Sequence, residues 1–269
     1  MQTRNVKNDT GTSSSREPHS MTTIQERFFE IDQMRGLAVI MMVLYHVLFD
    51  VYFFNIYPVD VTSGFWKIFA MVTASLFLLL VGVSFTISAA RAEVAMDGRS
   101  LFLKFLKRGI FILLIAALIT VVTWWYLREG YIIFGILHLI GISIIIAPFF
   151  FHRRLLSLFG GLLFIVVGIL LQTVRGPFFL LPLGIYPESF FSVDYTPIFP
   201  WFGLVLLGIY LGELLYPGGK RSDILQKFLN RIKFPELPGK TSAFLGRHSL
   251  AIYILHQPVI ILLLHPPWG

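Results

Sequence analysis

The residues of this chain best suited to chemistry are three histidines set inside long apolar runs, His46, His138 and His256. A neutral imidazole can take a proton from an attacking amine or hydroxyl, and an ionisable group within an apolar run is costly enough to need a partner or a task. His46 and Asp50 are four residues apart. On a helix they share one face, where an aspartate can orient an imidazole and stabilise its protonated form, so the spacing predicts an acid-base dyad. In the run His256, Gln257, Pro258 the proline donates no backbone hydrogen bond and frees a carbonyl one turn upstream. Such a break suits a ligand cavity or an ordinary kink. Asp32 and Arg35 are spaced to pair at the start of the first apolar run, as a clasp or as binding groups, and Asp194 faces a cavity mouth or solvent. The competing use of each histidine is to hydrogen-bond a neighbouring helix and hold a bundle together. Nothing in the spacing of the three favours a metal, and none is expected. With no cysteine there is no thiolate chemistry.

These side chains need a scaffold, and the composition dictates which. The chain has 269 residues, 56% of them apolar and only 14% charged, with a mean hydropathy of +0.75. Such a chain takes lipid as its solvent. Seven apolar stretches are predicted to cross the bilayer: Leu37 to Phe54, Ile68 to Ala90, Gly109 to Leu127, Tyr131 to Phe151, Leu155 to Val174, Ile198 to Tyr216 and Ala243 to Leu264. A backbone in hydrocarbon must satisfy its own hydrogen bonds, and the alternation of a barrel strand is missing, so the expected fold is an all-α transmembrane helical bundle. Residues 26–269 form this domain, and residues 1–25, polar and without apolar period, read as a disordered cytoplasmic tail rather than a cleavable signal. The stretch Gly176 to Pro200 is too broken by proline for a span and too aromatic for an ordinary loop. It is expected to fold back onto the outer mouth of the bundle.

Lys and Arg divide 19 to 3 between the two sides of this topology. The division predicts a cytoplasmic N-terminus and an outward C-terminus in a multi-pass protein of the cell membrane. It also accounts for the net charge of +7 without nucleic acid, for which no basic soluble domain exists. Spans one and seven run outward and span four inward, which puts His46, His138 and His256 at similar depths, in the middle to outer half.

At these residues the sequence resembles a known family. The runs EIDQMRGLAVIMMVLYHVLFD (30–50), FLLLVGVSF (77–85), FGILHLIG (134–141) and LGRHSLAIYILHQPV (245–259) are similar to the small prokaryotic branch of the heparan-alpha-glucosaminide N-acetyltransferase catalytic-domain family, within the transmembrane acyltransferase superfamily. The resemblance implies acyl transfer across the membrane, from cytoplasmic acetyl-CoA or another acyl-CoA to an outward-facing sugar, lipid or glycan. It implies His46, oriented by Asp50, as base, with His138 and His256 as supporting donors or alternative bases. The basic inner residues from Arg91 to Arg108, with Arg247, would draw the coenzyme's phosphates. One departure stands out: lysosomal members place their proposed active histidine in the luminal loop after the first span, and Asn55 to Gly64 contains none. Membrane lipid and a carbohydrate or lipid-linked acceptor are the expected partners, and a homodimer is compatible with the sequence. The competing readings are a proton-coupled transporter with a His/Asp relay, and a structural membrane component.

Overall fold

The computed structural model describes residues 28–231 and 236–264, with side chains in the second stretch described from Thr241 onward. The expected tail, residues 1–25, lies outside the described residues. Among the described residues nine α-helices follow one another: α1 Phe29–Phe53, α2 Gly64–Glu93, α3 Gly98–Leu127, α4 Ile136–Ile146, α5 Arg154–Leu171, α6 Ile198–Leu215, α7 Asp223–Arg231, α8 Glu236–Arg247 and α9 Ser249–Leu264. No strand is present among the described residues.

Among the described residues five helices, α1, α2, α3, α5 and α6, are long and apolar enough to cross a membrane, and α8 with α9 makes a sixth if the bent pair is one span. Two of the seven expected spans therefore differ from a straight crossing. The fourth is a short apolar helix, Ile136–Phe149 including its final 3-10 turn. At a rise of about 1.5 Å per residue it falls short of a core about 30 Å thick. Its entry, expected to be helical from Tyr131, is irregular instead, because its backbone pairs elsewhere: Val193 N donates to Gly130 O at 2.8 Å and Thr196 N to Phe134 O at 2.8 Å. The aromatic stretch after α5 thus does fold back onto the bundle. The seventh bends by 89° between Arg247 and Ser249. Pro258 lies inside α9 without ending it.

Helices in lipid associate through close packing rather than through exclusion of water, so small residues mark their seams. Gly82 on α2 and Gly208 on α6 face each other so closely that a Cβ on either would overlap the partner's backbone. Beside them Thr86 Oγ1 donates to Gly82 O at 3.1 Å and reaches Ile209 O at 3.4 Å. On the other flank α8 crosses the first turns of α1, where Gly36 lies against Ser242 O and Gly246 against Asp32 O. This seam pins the α8–α9 bend to α1. The core between α2, α3, α4 and α6 holds Leu78, Phe85, Phe105, Leu139, Phe202, Leu206 and Ile209.

Candidate active site

α1 and α9 lie side by side and bring two of the three histidines into contact. The rings of His46 and His256 meet edge to face with centroids 4.7 Å apart. His46 Nδ1 lies 2.9 Å from Met42 O, and His256 Nδ1 lies 2.7 Å from Tyr253 O. A carbonyl only accepts, so both rings carry their hydrogen on Nδ1 and keep the Nε2 lone pair. His256 Nε2 is buried without a hydrogen-bond partner. Two neutral imidazoles in this tautomer are bases awaiting a donor.

The expected dyad is not formed. Asp50, only 2% exposed, takes Gln257 Nε2 on both carboxylate oxygens, at 2.8 and 2.9 Å. The physical reason is packing across the seam: one turn along from the His46–His256 contact, the facing residue is an amide that supplies the hydrogens a buried carboxylate needs. Gln257 could not be singled out from spacing along one helix, because its partner lies 207 residues away.

His138 has a different occupation. Its Nδ1 accepts the Gly135 N–H at 3.2 Å, at the start of α4. The hydrogen therefore sits on Nε2, which faces Thr120 Oγ1 at 3.4 Å, and the ring stacks on Phe134. In this structure its lone pair closes a helix end. Asp194 closes the same end, accepting Ile136 N at 3.1 Å and Thr196 Oγ1 at 3.0 Å. Tyr253 OH lies 3.5 Å from Asp194 Oδ2. Burial pushes the Asp194 carboxyl above the ordinary aspartate range, against the pull of the Ile136 N–H and Thr196 hydroxyl.

Tyr253 connects this polar region to a cavity. Its ring centroid is 5.6 Å from that of His256, and it lines a space of about 300 Å³ together with Arg35, Ser84, Arg108, Leu137 and Arg247. A second cavity, of about 520 Å³, shares Arg35, Ser84 and Arg247 with the first and adds Asp32, Arg91 and Lys104 to its walls. The two form one cleft with five basic side chains and a single carboxylate. That carboxylate is committed: Arg35 Nη1 donates to Asp32 Oδ1 at 3.1 Å, and Arg35 Nη2 to Ser84 Oγ at 2.5 Å. The spacing-based Asp32–Arg35 pair is thus present in the cleft wall. Of the expected binding residues, Asp32, Arg35, Arg108 and Arg247 meet here, while Asp194 stands behind Tyr253. Lys104 joins them from the basic run Arg91 to Arg108, within which a sequence cannot show which side chains face a cleft. Among the described residues no group of three or more His, Asp or Glu is arranged to hold a metal ion.

The family model for the heparan-alpha-glucosaminide N-acetyltransferase catalytic domain matches residues 27–258, nearly all of the described bundle. No curated protein and no solved structure matches the chain. The match spans the α1 histidine, the basic cleft and the His256–Gln257–Pro258 run alike, so the chain belongs to the heparan-alpha-glucosaminide N-acetyltransferase catalytic family of membrane acetyltransferases.

Proposed function

We propose that the chain takes an acetyl group from acetyl-CoA held in the basic cleft and transfers it to an amine or hydroxyl of an outward-facing sugar, lipid or glycan. The observation that carries this reading is the cleft itself: five cationic side chains on its walls, with Tyr253 also lining it, His256 beside that tyrosine and His46 against His256. Arginine forks suit the phosphates of the coenzyme, which bind as acceptor-rich anions. The charge asymmetry of the chain supports a cytoplasmic cleft, where acetyl-CoA is available, in a cell-membrane protein with its N-terminus inside and its C-terminus outside.

In the transfer step the acceptor's nitrogen or oxygen attacks the thioester carbonyl carbon. Its proton passes to the Nε2 lone pair of His46 or His256, the C–S bond breaks, and the coenzyme leaves as a thiolate that takes the proton back. The Nδ1 hydrogens, fixed on Met42 O and Tyr253 O, let each ring become an imidazolium with a partner already in place. Family membership disfavours the transporter reading. The test is acetyl-CoA affinity by calorimetry on purified protein. Loss of two charge-assisted phosphate contacts in Arg108→Ala/Arg247→Ala is expected to weaken binding about tenfold or more. Unchanged affinity in a folded double variant would remove the cleft as the donor site.

A further inference from the structure

Between α6 and the bent α8–α9 pair, the short helix α7 differs in kind from the spans around it. Asp223–Arg231 reads DILQKFLNR and has no buried residue, yet two of its apolar side chains are turned away from the protein: Ile224 is 77% exposed and Phe228 56%. Four residues apart, they share one face. Lys227 and Arg231, also four apart and exposed, form the strip beside that face. On the far side of the helix Gln226 Nε2 donates to Asn230 Oδ1 at 3.1 Å, and Asp223 belongs to the same exposed polar surface.

The helix is held in one orientation. Leu225 packs against the buried cluster that contains Phe28, Ile31 and Tyr216. Just ahead of α7, Arg221 donates from Nε and Nη2 to the two Glu30 oxygens, each at 2.8 Å, and Ser222 Oγ accepts Leu225 N at 3.3 Å. Ser222 N donates to Leu215 O at 2.8 Å, which brings the start of α7 back against the last residue of α6. Since α6 is long and apolar enough to cross the membrane, α7 begins at the level where a span leaves the hydrocarbon. Leu214, in the last turn of α6, is exposed as well, so lipid-facing apolar surface reaches that level. An apolar face there dips into the acyl boundary while adjacent Lys and Arg meet phosphates. The Ile224–Phe228 pair needs a non-aqueous neighbour and the basic strip an anionic one. A leaflet with anionic headgroups supplies both, whereas a soluble anion supplies only the second.

We propose that α7 is an interfacial helix that docks onto anionic phospholipid, with Ile224 and Phe228 entering the leaflet and Lys227 and Arg231 holding the headgroup phosphates.

The chain contains no cysteine, so one introduced cysteine carries a fluorophore alone. The test uses the full chain with Phe228→Cys, labelled and reconstituted into vesicles, and compares quenching by brominated phosphatidylglycerol with quenching by brominated phosphatidylcholine. Each Lys or Arg near an anionic surface is worth about fivefold, so the anionic lipid should be enriched around the label by about fivefold or more at low salt. The enrichment should fall toward parity in about 1 M salt and in Lys227→Gln/Arg231→Gln. A label at Asn230→Cys, on the polar surface, should be quenched by aqueous iodide and by neither lipid. A Phe228→Cys label quenched by iodide instead of lipid puts that face in water and overturns the proposal. Equal quenching by the two lipids overturns it too, as does an enrichment that survives the double substitution. Should Phe228→Cys fail to fold, Ile224→Cys reports from the same face.

Discussion

Hydrogen-bond direction separates the three histidines. His46 and His256 spend their Nδ1 hydrogens on helix carbonyls and keep the Nε2 lone pair, whereas His138 spends its Nδ1 lone pair on the Gly135 N–H. Asp194 shares that structural duty, which gives a prediction at the same scale. Asp194→Ala removes the acceptor of Ile136 N and should cost roughly 1 kcal/mol, the usual value of a lost helix-start acceptor, read as a lower Tm in detergent. Because burial raises the Asp194 carboxyl, its contribution is fully present below the ordinary aspartate pKa and fades as pH rises through the elevated one. The penalty of Asp194→Ala should therefore be larger in acid than at neutral pH, and an equal or reversed penalty would contradict the assignment. All three histidines were legible in the sequence, since a lone imidazole in an apolar run is conspicuous. Their tautomers, and the Asp50–Gln257 pair in place of the expected His46–Asp50 dyad, were not. Those depend on which residues face each other across a seam between helices far apart in the chain.

The helices are held at glycine seams, and the α2–α6 seam is the most direct to perturb. A Cβ at Gly208 would overlap the backbone around Leu79 and Gly82. Gly208→Leu should separate the two helices, cost at least about 1–3 kcal/mol and lower the Tm by roughly 5 °C. A variant with the original Tm would show that the seam is looser than described. Apolar runs alone located α1, α2, α3, α5 and α6. They overstated the fourth crossing because a window of apolar residues does not reveal where the backbone leaves the helix to pair with another segment, as Gly130 and Phe134 do with Val193 and Thr196. The same blindness hid the 89° bend before Ser249. That bend matters for the site: it lets α8 cross α1 at Gly36 while α9 runs on to place His256 and Gln257 opposite His46 and Asp50.

Across the whole molecule, the charge that sets topology and the charge that lines the cleft are partly the same residues. In the seven-span topology expected from the sequence, Arg35, Arg91, Lys104, Arg108 and Arg247 all belong to the side assigned 19 of the 22 Lys and Arg. The proposed donor cleft is thus lined by residues of the basic runs, and His256 lies beside it, its ring centroid 5.6 Å from that of Tyr253 on the cleft wall. The central claim is that the imidazole pair, rather than His138, accepts the proton. It is tested most directly by the rate of radiolabelled acetyl transfer from acetyl-CoA to D-glucosamine in His46→Ala/His256→Ala beside His138→Gln. Loss of general-base catalysis should slow the double variant by about 100-fold or more with acetyl-CoA affinity retained, while His138→Gln stays within about tenfold of the unmodified chain. A double variant that transfers acetyl groups at the original rate would contradict the account.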